Sequence, residues 1–371
     1  MGELENIIIE EIKKKGMISF DKFMEMALYT PKLGYYMGRR IPWGRKGDYL
    51  TGPHLHRIFG ALIAIQLKEF WELMGKPKNF FLVEAGPGDG TLAYDILSFI
   101  YQSDTDFFHS ISYVMIEKNP YLMSIQKKRL TIFSNVFWFS HLSDLPPVKG
   151  VFLSNELFDS FPVKRVVMEE DLKEIFVTFD EFGFREIAKD AEESIKEYFE
   201  QFSVSFERGF KTEVCLKART FLQELAKRLD EGFVLTIDYG LTSKEYFSHD
   251  RADGTLLCYY KHRFHKNPYI NIGEQDITAH VNFSALKVWG EEAGLKTFGF
   301  APLGTYLVSM GLENVIPYFF YGGIDLEDSM KIKALLVPEG IGESHRVMVQ
   351  AKNVCKAELK GFRMKNMESF L

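Results

Sequence analysis

The stretch Phe80–Leu92, FFLVEAGPGDGTL, decides the fold. Phe80 to Val83 is a continuous apolar run rich in β-favouring residues, which predicts a strand buried on both faces. Glu84 ends it. Gly86, Gly88 and Gly90 follow at alternate positions, and then Leu92, Ile96 and Ile100 recur every fourth residue as a helical stripe. The order is therefore strand, glycine turn, helix. Glycine permits the sharp turn and lets a ligand approach the backbone. The helix start offers free N–H groups.

The glycine spacing narrows the ligand. A dinucleotide fingerprint reads G-x-G-x-x-G and seats a pyrophosphate on the helix start. Here the spacing is G-x-G-x-G, with Glu84 two residues ahead of the first glycine. A phosphate loop needs a lysine that this turn lacks. An acid followed by G-x-G-x-G resembles the first motif of S-adenosylmethionine-dependent methyltransferases. That cofactor has no phosphate, and its ammonium and sulfonium tolerate an acid at the turn. The plain alternative is a turn that only packs a helix on a strand.

Working outward, the chain has 371 residues, enough for one large domain or two smaller ones. The apolar share of 46% and charged share of 26% are those of a globular protein. A net charge of −6 argues against bulk electrostatic binding of nucleic acid. Cys215, Cys258 and Cys355 are scattered and odd in number, which points to a reducing compartment and gives no zinc pattern. Met1–Ile9 shows no secretory signal, and no apolar run reaches membrane-span length.

Before the turn, Leu4–Lys15 and a segment from Phe20 to Leu28 read as helices. A glycine-rich loop, Gly44 to Pro53, contains GDYLTGP; it is either a surface turn or a cover for the ligand pocket with Asp48 and Thr51 as polar contacts. His54 and His56 lack a convincing ligand set and read as surface or packing residues. Phe59–Leu73 is a long apolar helix.

After the turn, Ser112–Ile116 is a second strand ending in Glu117, the position from which an acid binds ribose hydroxyls. Asn119–Leu130 is a helix and Asn135–Phe139 a third strand, followed by Asp144, where an acid could meet an adenine amine. Val151–Leu153 is a fourth strand. The crevice rule for open α/β sheets places Asn155, Glu156 and Asp159 of NELFDSFP at the site, although Glu and Asp here could equally cap a helical turn. Lys164 to Ile187 reads as antiparallel strands, and Lys217–Leu229 as a helix. Phe233–Ile237 is a fifth core strand with Asp238 at its end. Gly254–Ala279 is too long for a plain connection. Leu303–Leu312 and Ser329–Leu336 read as helices, Arg346–Ala351 as the last strand, and the lysine-rich tail as loose.

The set GYY, GDYLTGP, FGALIA, FLVEAGPGDGTL, NELFDSFP, DYG, QDITAHVNF and PEGIGE resembles the MidA family over about Met17–Lys352. Mitochondrial members of that family are protein arginine methyltransferases that assist assembly of respiratory complex I. The resemblance implies a class I methyltransferase (Rossmann-like) α/β fold with a mixed sheet, N-terminal helices and a β-rich insertion. It implies S-adenosyl-L-methionine bound at Glu84, Gly86, Gly88, Gly90 and Glu117, and a pocket lined by GDYLTGP. Two departures stand out. Ser160 replaces the usual alanine of NE-x-FDA-x-P, and TEVCLKA at Thr212–Ala218 has lost the family's Pro-Asp.

These readings set the expectations. Residues 1–75 form a helical cover with the pocket loop. Residues 76–163 and 230–352 form the methyltransferase core, with a 254–280 insertion. Residues 164–229 form a β-rich insertion, and 353–371 a tail. The expected activity is methyl transfer to a protein arginine, with Glu156 and Asp159, then Asp238, gripping the guanidinium bidentately. The expected partner is a protein, such as a complex I subunit, with no nucleic acid, metal or membrane span; the oligomeric state stays open. The cytoplasm is the expected location. A non-catalytic cofactor-binding assembly chaperone, or a small-molecule methyltransferase, would satisfy the same glycine turn.

Overall fold

The computed structural model describes residues 2–44, 47–48, 51–320 and 323–371. The chain separates into two compact units. The larger comprises Leu50–Leu157, Phe221–Gly240 and Phe283–Leu371; the smaller comprises Met1–Tyr49, Phe158–Thr220 and Leu241–Asn282.

The larger unit is the mixed α/β sheet that the methyltransferase resemblance implies. Its strands are β1 (Phe80–Ala85), β2 (Ile111–Ile116), β3 (Val136–Phe139), β4 (Val148–Asn155), β5 (Leu229–Leu241), β6 (Lys296–Pro302) and β7 (His345–Lys352). They pair in the order β6-β7-β5-β4-β1-β2-β3. Strands β5, β4, β1, β2 and β3 run parallel to one another, whereas β7 is antiparallel to both β5 and β6. The apolar run Phe80–Val83 makes β1 a central strand, since a parallel strand must be covered on both faces. From β1 the chain moves outward through β2 to β3, then returns to lay β4 on the other side of β1. The order reverses between β1 and β4, and that switch point opens a crevice at the strand C-terminal ends.

Four helices of this unit matter for the site: α1 (Gly52–Leu55), α2 (Ile58–Leu73), α3 (Thr91–Ser103) and α4 (Pro120–Arg129). Helix α2 is apolar nearly all round and buried on most sides, as its composition requires. A Cβ on Gly60 would stand 2.6 Å from the Asp95 Cβ, so glycine lets α2 and α3 pack closely. Phe70 of α2 stacks on Phe233 of β5 at 4.1 Å between ring centroids. Burying an aromatic side chain of this kind is worth about 1.5–3 kcal/mol.

Two expectations are corrected here. The tail after Lys352 is not loose: Leu359 and Phe362 are buried, and the Glu69 carboxylate accepts from the Lys360 amide at 3.1 and 3.2 Å. Its two large apolar side chains offset the ordering cost that its lysines suggested it would avoid. The segment read as one helix from Leu303 to Leu312 is two, Leu303–Ser309 and Leu312–Phe319. They are separated at Gly311, whose φ of 91° is left-handed.

The smaller unit is built on antiparallel strands. Leu172–Asp180 pairs with Ile18–Ser19, Lys164–Met168 and Gly183–Asp190, and Lys164–Met168 also pairs with Lys211–Val214. Helices Glu3–Lys15 and Phe20–Tyr29 supply Leu4, Ile8, Phe20 and Phe23 to its core, alongside Val177 and Ile277. The long segment after Gly254 holds a second small sheet, Leu257–Tyr260 between Arg263–His265 and Asp276–Thr278.

Candidate functional site

The switch point sets the turn after β1 beside the loop after β4. In the first, Gly86, Gly88 and Gly90 all have positive φ, at 68°, 56° and 80°. At Gly86 the angle favours glycine, and a Cβ would stand 2.9 Å from Leu157 Cδ1 and push that side chain aside. Between the glycines, Asp89 Oδ1 accepts from the Thr91 amide at 3.1 Å and the Thr91 hydroxyl at 2.7 Å, and pairs with Arg129 at 2.8 Å. Burial raises the Asp89 carboxyl, but His54, Arg129 and Thr91 outweigh it and hold the group down at about 2. Asp89 is therefore an anion at neutral pH.

Glu84, at the end of β1, is buried and accepts from the Tyr113 hydroxyl at 2.7 Å. Burial pushes its carboxyl up to about 7 against the pull of that hydroxyl. Glu117 follows β2, where Ala85 and Ile116 are register partners. Its Oε1 accepts from the Asn119 amide at 2.7 Å and its Oε2 from Gln126 Nε2 at 3.0 Å. Burial again dominates and raises it to about 7. Gln126, fully buried in α4, also donates to the Gly88 carbonyl at 2.7 Å and accepts from Trp138 at 3.1 Å. One amide thus fastens the glycine turn, the Glu117 carboxylate and β3.

This arrangement fits the cofactor that the glycine spacing implies. Left-handed glycines give a turn whose backbone a ligand can approach closely. The acids at the strand ends repel a phosphate and suit a ligand whose polar groups are cations and hydroxyls.

The loop after β4 carries Asn155 and Glu156. Glu156 has a φ of 51°, a left-handed conformation that costs a residue with a side chain on the order of 1 kcal/mol. Its amide is held by the Ile237 carbonyl at 2.8 Å. Glu156 Oε1 accepts from the Gly52 amide and from Asn155 Nδ2, both at 3.3 Å, and His345 Nε2 lies 3.6 Å away. Among the described residues these contacts all fall on Oε1, and none reaches Oε2.

Other expected site residues are placed differently. Asp238 is fully buried, with Oδ2 accepting from the Leu157 amide and Oδ1 from the Tyr239 amide, each at 3.0 Å. It braces the loop after β4, with each oxygen accepting a backbone amide. Asp144 is exposed and caps its own turn, accepting from the His141 amide at 3.1 Å. Asp159 belongs to the smaller unit, where it is buried and its carbonyl accepts from the Ala279 amide at 3.0 Å. Asp48 belongs there too, holding the Tyr35 hydroxyl at 2.8 Å, Arg40 at 3.2 Å and the Lys261 amide at 2.7 Å. Of GDYLTGP, Tyr49 and Leu50 lie outside the described residues. Thr51 is on the larger unit, and its hydroxyl meets His54 Nδ1 at 2.7 Å.

Sequence reasoning missed Gln126, His54, Asp89 and His345. Gln126 carried a signal, a polar residue four positions after Leu122 on the buried stripe of a helix. Asp89 lay inside the motif itself. His54 was set aside for want of metal partners, and its partners are Thr51 and Asp89. Among the described residues, no group of three or more His, Cys, Asp or Glu is placed to hold a metal ion. No described helix is long and apolar enough to cross a membrane.

Comparison with known proteins agrees with this geometry. Residues 62–301 match a family model described as "Putative S-adenosyl-L-methionine-dependent methyltransferase". A solved COG1565 superfamily protein from Burkholderia thailandensis, bound to S-adenosyl-homocysteine, superposes with a TM-score of 0.89 at 27% identity, covering 99% of this chain and 96% of that one. The Mus musculus protein arginine methyltransferase NDUFAF7, mitochondrial, is 30% identical over 339 residues, 82% of this chain and 73% of that protein. Its Drosophila melanogaster homolog is 28% identical over 325 residues, 79% of this chain and 71% of the relative. Both relatives are named as mitochondrial, which overturns the cytoplasmic location expected above. That expectation rested on the residues at the start of the chain, and no location follows from them. With its MidA-like motifs, glycine turn and matching sheet, this chain belongs to the S-adenosyl-L-methionine-dependent methyltransferase family.

Proposed function

We propose that the chain transfers a methyl group from S-adenosylmethionine to an arginine side chain of a protein, with a respiratory complex I subunit as the expected client. The observation that carries this reading is the Glu156 carboxylate, at the crevice end of β4, with Oε1 anchored and, among the described residues, no contact on Oε2. A guanidinium only donates hydrogen bonds, and its planar fork matches a carboxylate. Glu156 would fix its plane and localise positive charge away from the attacking nitrogen. That nitrogen loses one proton as its bond to the methyl carbon forms, and Glu156 is the acceptor this reading assigns.

The cofactor, when bound, supplies an electrophilic methyl on a sulfonium. Glu84, Gly86, Gly88, Gly90 and Glu117 would hold it, with Asn155 beside them and Asp144 toward the adenine amine. Asp159 and Asp48 enter only on their positions in NELFDSFP and GDYLTGP. The printed names of the mouse and fly relatives support arginine as the acceptor. The test is incubation with methyl-labelled cofactor and a cognate lysate, followed by residue-level identification of the label. Label on arginine is expected. Label on small molecules alone, or cofactor binding without turnover, would overturn the reading.

A further inference from the structure

We propose that His54 is a positioning residue that couples the glycine turn to Glu156. The path lies within the larger unit, and its weakest step is the one at His54 Nε2, which is buried and faces the Asp89 carboxylate at ion-pair distance without an aligned hydrogen bond. Asp89, between the second and third glycines, is held by Thr91 and Arg129 through Oδ1, and its Oδ2 lies 3.4 Å from His54 Nε2. Thr51 meets the other ring nitrogen at 2.7 Å. Thr51 is the N-cap of α1, and the next amide, Gly52, points at Glu156 Oε1.

The proton positions follow from the partners. The Asp89 carboxylate faces Nε2 at 3.4 Å, which favours the tautomer with the hydrogen on that nitrogen. The opposite nitrogen is then an acceptor, and the Thr51 hydroxyl donates to it. His54 and Thr51 are both largely buried, so the pair has few water-mediated alternatives. Ordering the glycine turn would fix Asp89, then the His54 ring, then Thr51 and the start of α1. The Gly52 amide would in turn hold the Glu156 carboxylate in one orientation.

The consequence for catalysis rests on the reading of Glu156 as the substrate-holding acid, whereas the coupling itself can be measured without substrate. The probe is S-adenosyl-homocysteine and the readout is hydrogen exchange at the Gly52 amide. In the unaltered protein, saturating ligand should slow that exchange at least about threefold, as expected when one hydrogen bond is strengthened. In His54→Ala the slowing should vanish while the dissociation constant, from calorimetry, changes by less than about threefold. Thr51→Val, which keeps the shape and removes the donor, should behave alike and serves if His54→Ala fails to fold. Equal slowing in the unaltered protein and in Thr51→Val, or no slowing in the unaltered protein, would overturn the coupling. The role of Glu156 is decided separately, by methyl transfer in Glu156→Gln: a rate equal to that of the unaltered protein sinks the substrate-holding reading whatever the exchange shows.

Discussion

Gln126 Nε2 lies 3.0 Å from Glu117 Oε2 and 2.7 Å from the Gly88 carbonyl. A single side-chain amide on α4 therefore sets the spacing between the acid after β2 and the turn after β1. Truncating it leaves two acceptors and the Trp138 indole N–H short of a partner.

Gln126→Ala should weaken S-adenosyl-homocysteine binding by about 1–3 kcal/mol, the cost of a lost hydrogen bond to a charged group. Gln126→Glu should be worse, because it sets a second carboxylate against Glu117. Isothermal calorimetry reads both. Affinity unchanged in either variant would show that the glycine turn and Glu117 hold their positions without the bridge.

Gly88 has a left-handed φ of 56°. Gly88→Val should abolish cofactor binding, because a β-branched residue resists that angle and hinders a ligand's approach to the turn. A calorimetric titration with full heat release would contradict this.

Burial raises Glu84 and Glu117 from 4.5 to about 7 in the folded protein. Between those values the folded chain keeps protons that the unfolded chain has released. The stability tied to these groups is full below about pH 4.5 and is lost as the pH rises through about 7. The Tm of ligand-free protein should fall between about pH 5 and about pH 7.5. Glu84→Gln combined with Glu117→Gln should flatten that slope, and an equal slope in the double variant would assign it to other groups.

Glu156→Gln should slow methyl transfer at least about tenfold, equivalent to ~1.4 kcal/mol of barrier, with cofactor affinity retained. The amide keeps the size and loses the charge that grips a cation. Its left-handed φ allows a second test. Glu156→Gly and Glu156→Ala both remove the carboxylate, but only glycine is at ease at that angle. Glu156→Gly should be the more stable by roughly 1 kcal/mol, read by denaturant titration. Equal stabilities would mean that the loop relaxes to a different angle once the side chain is gone.

The parts of the site legible in the sequence were those written locally. The apolar run Phe80–Val83, the alternate glycines and the helical stripe from Leu92 lie within one stretch, and their periodicities need no partner to be read. Glu117 and Glu156 followed from strand ends, since an acid after a parallel strand falls at the crevice edge. What stayed hidden depends on pairing across the chain. Gln126 sat on the helical stripe with Leu122, but its partners Gly88 and Glu117 belong to other elements. His54 had no visible partner because Asp89 lies 35 positions on. Asp238 was found by the same strand-end rule, yet the Leu157 amide turns its carboxylate to backbone duty. The docking of Phe362 was obscured by the lysines around it, which dominate composition while two apolar side chains decide the packing.

Strand β7 is the last strand of the sheet to be synthesised and yet lies inside it, between β5 and β6. On the ribosome, the glycine turn and both of its acids emerge long before His345–Lys352 does. Until then Gly232–Tyr239 of β5, with Phe233, Val234, Leu235 and Ile237 among them, lacks the partner that His345–Lys352 supplies. An unpaired apolar edge is a template for pairing with other chains. The nascent protein thus carries its cofactor motif for most of synthesis on a sheet that only its last strand can close, and a chain stalled before residue 345 would be exposed to aggregation rather than partially active.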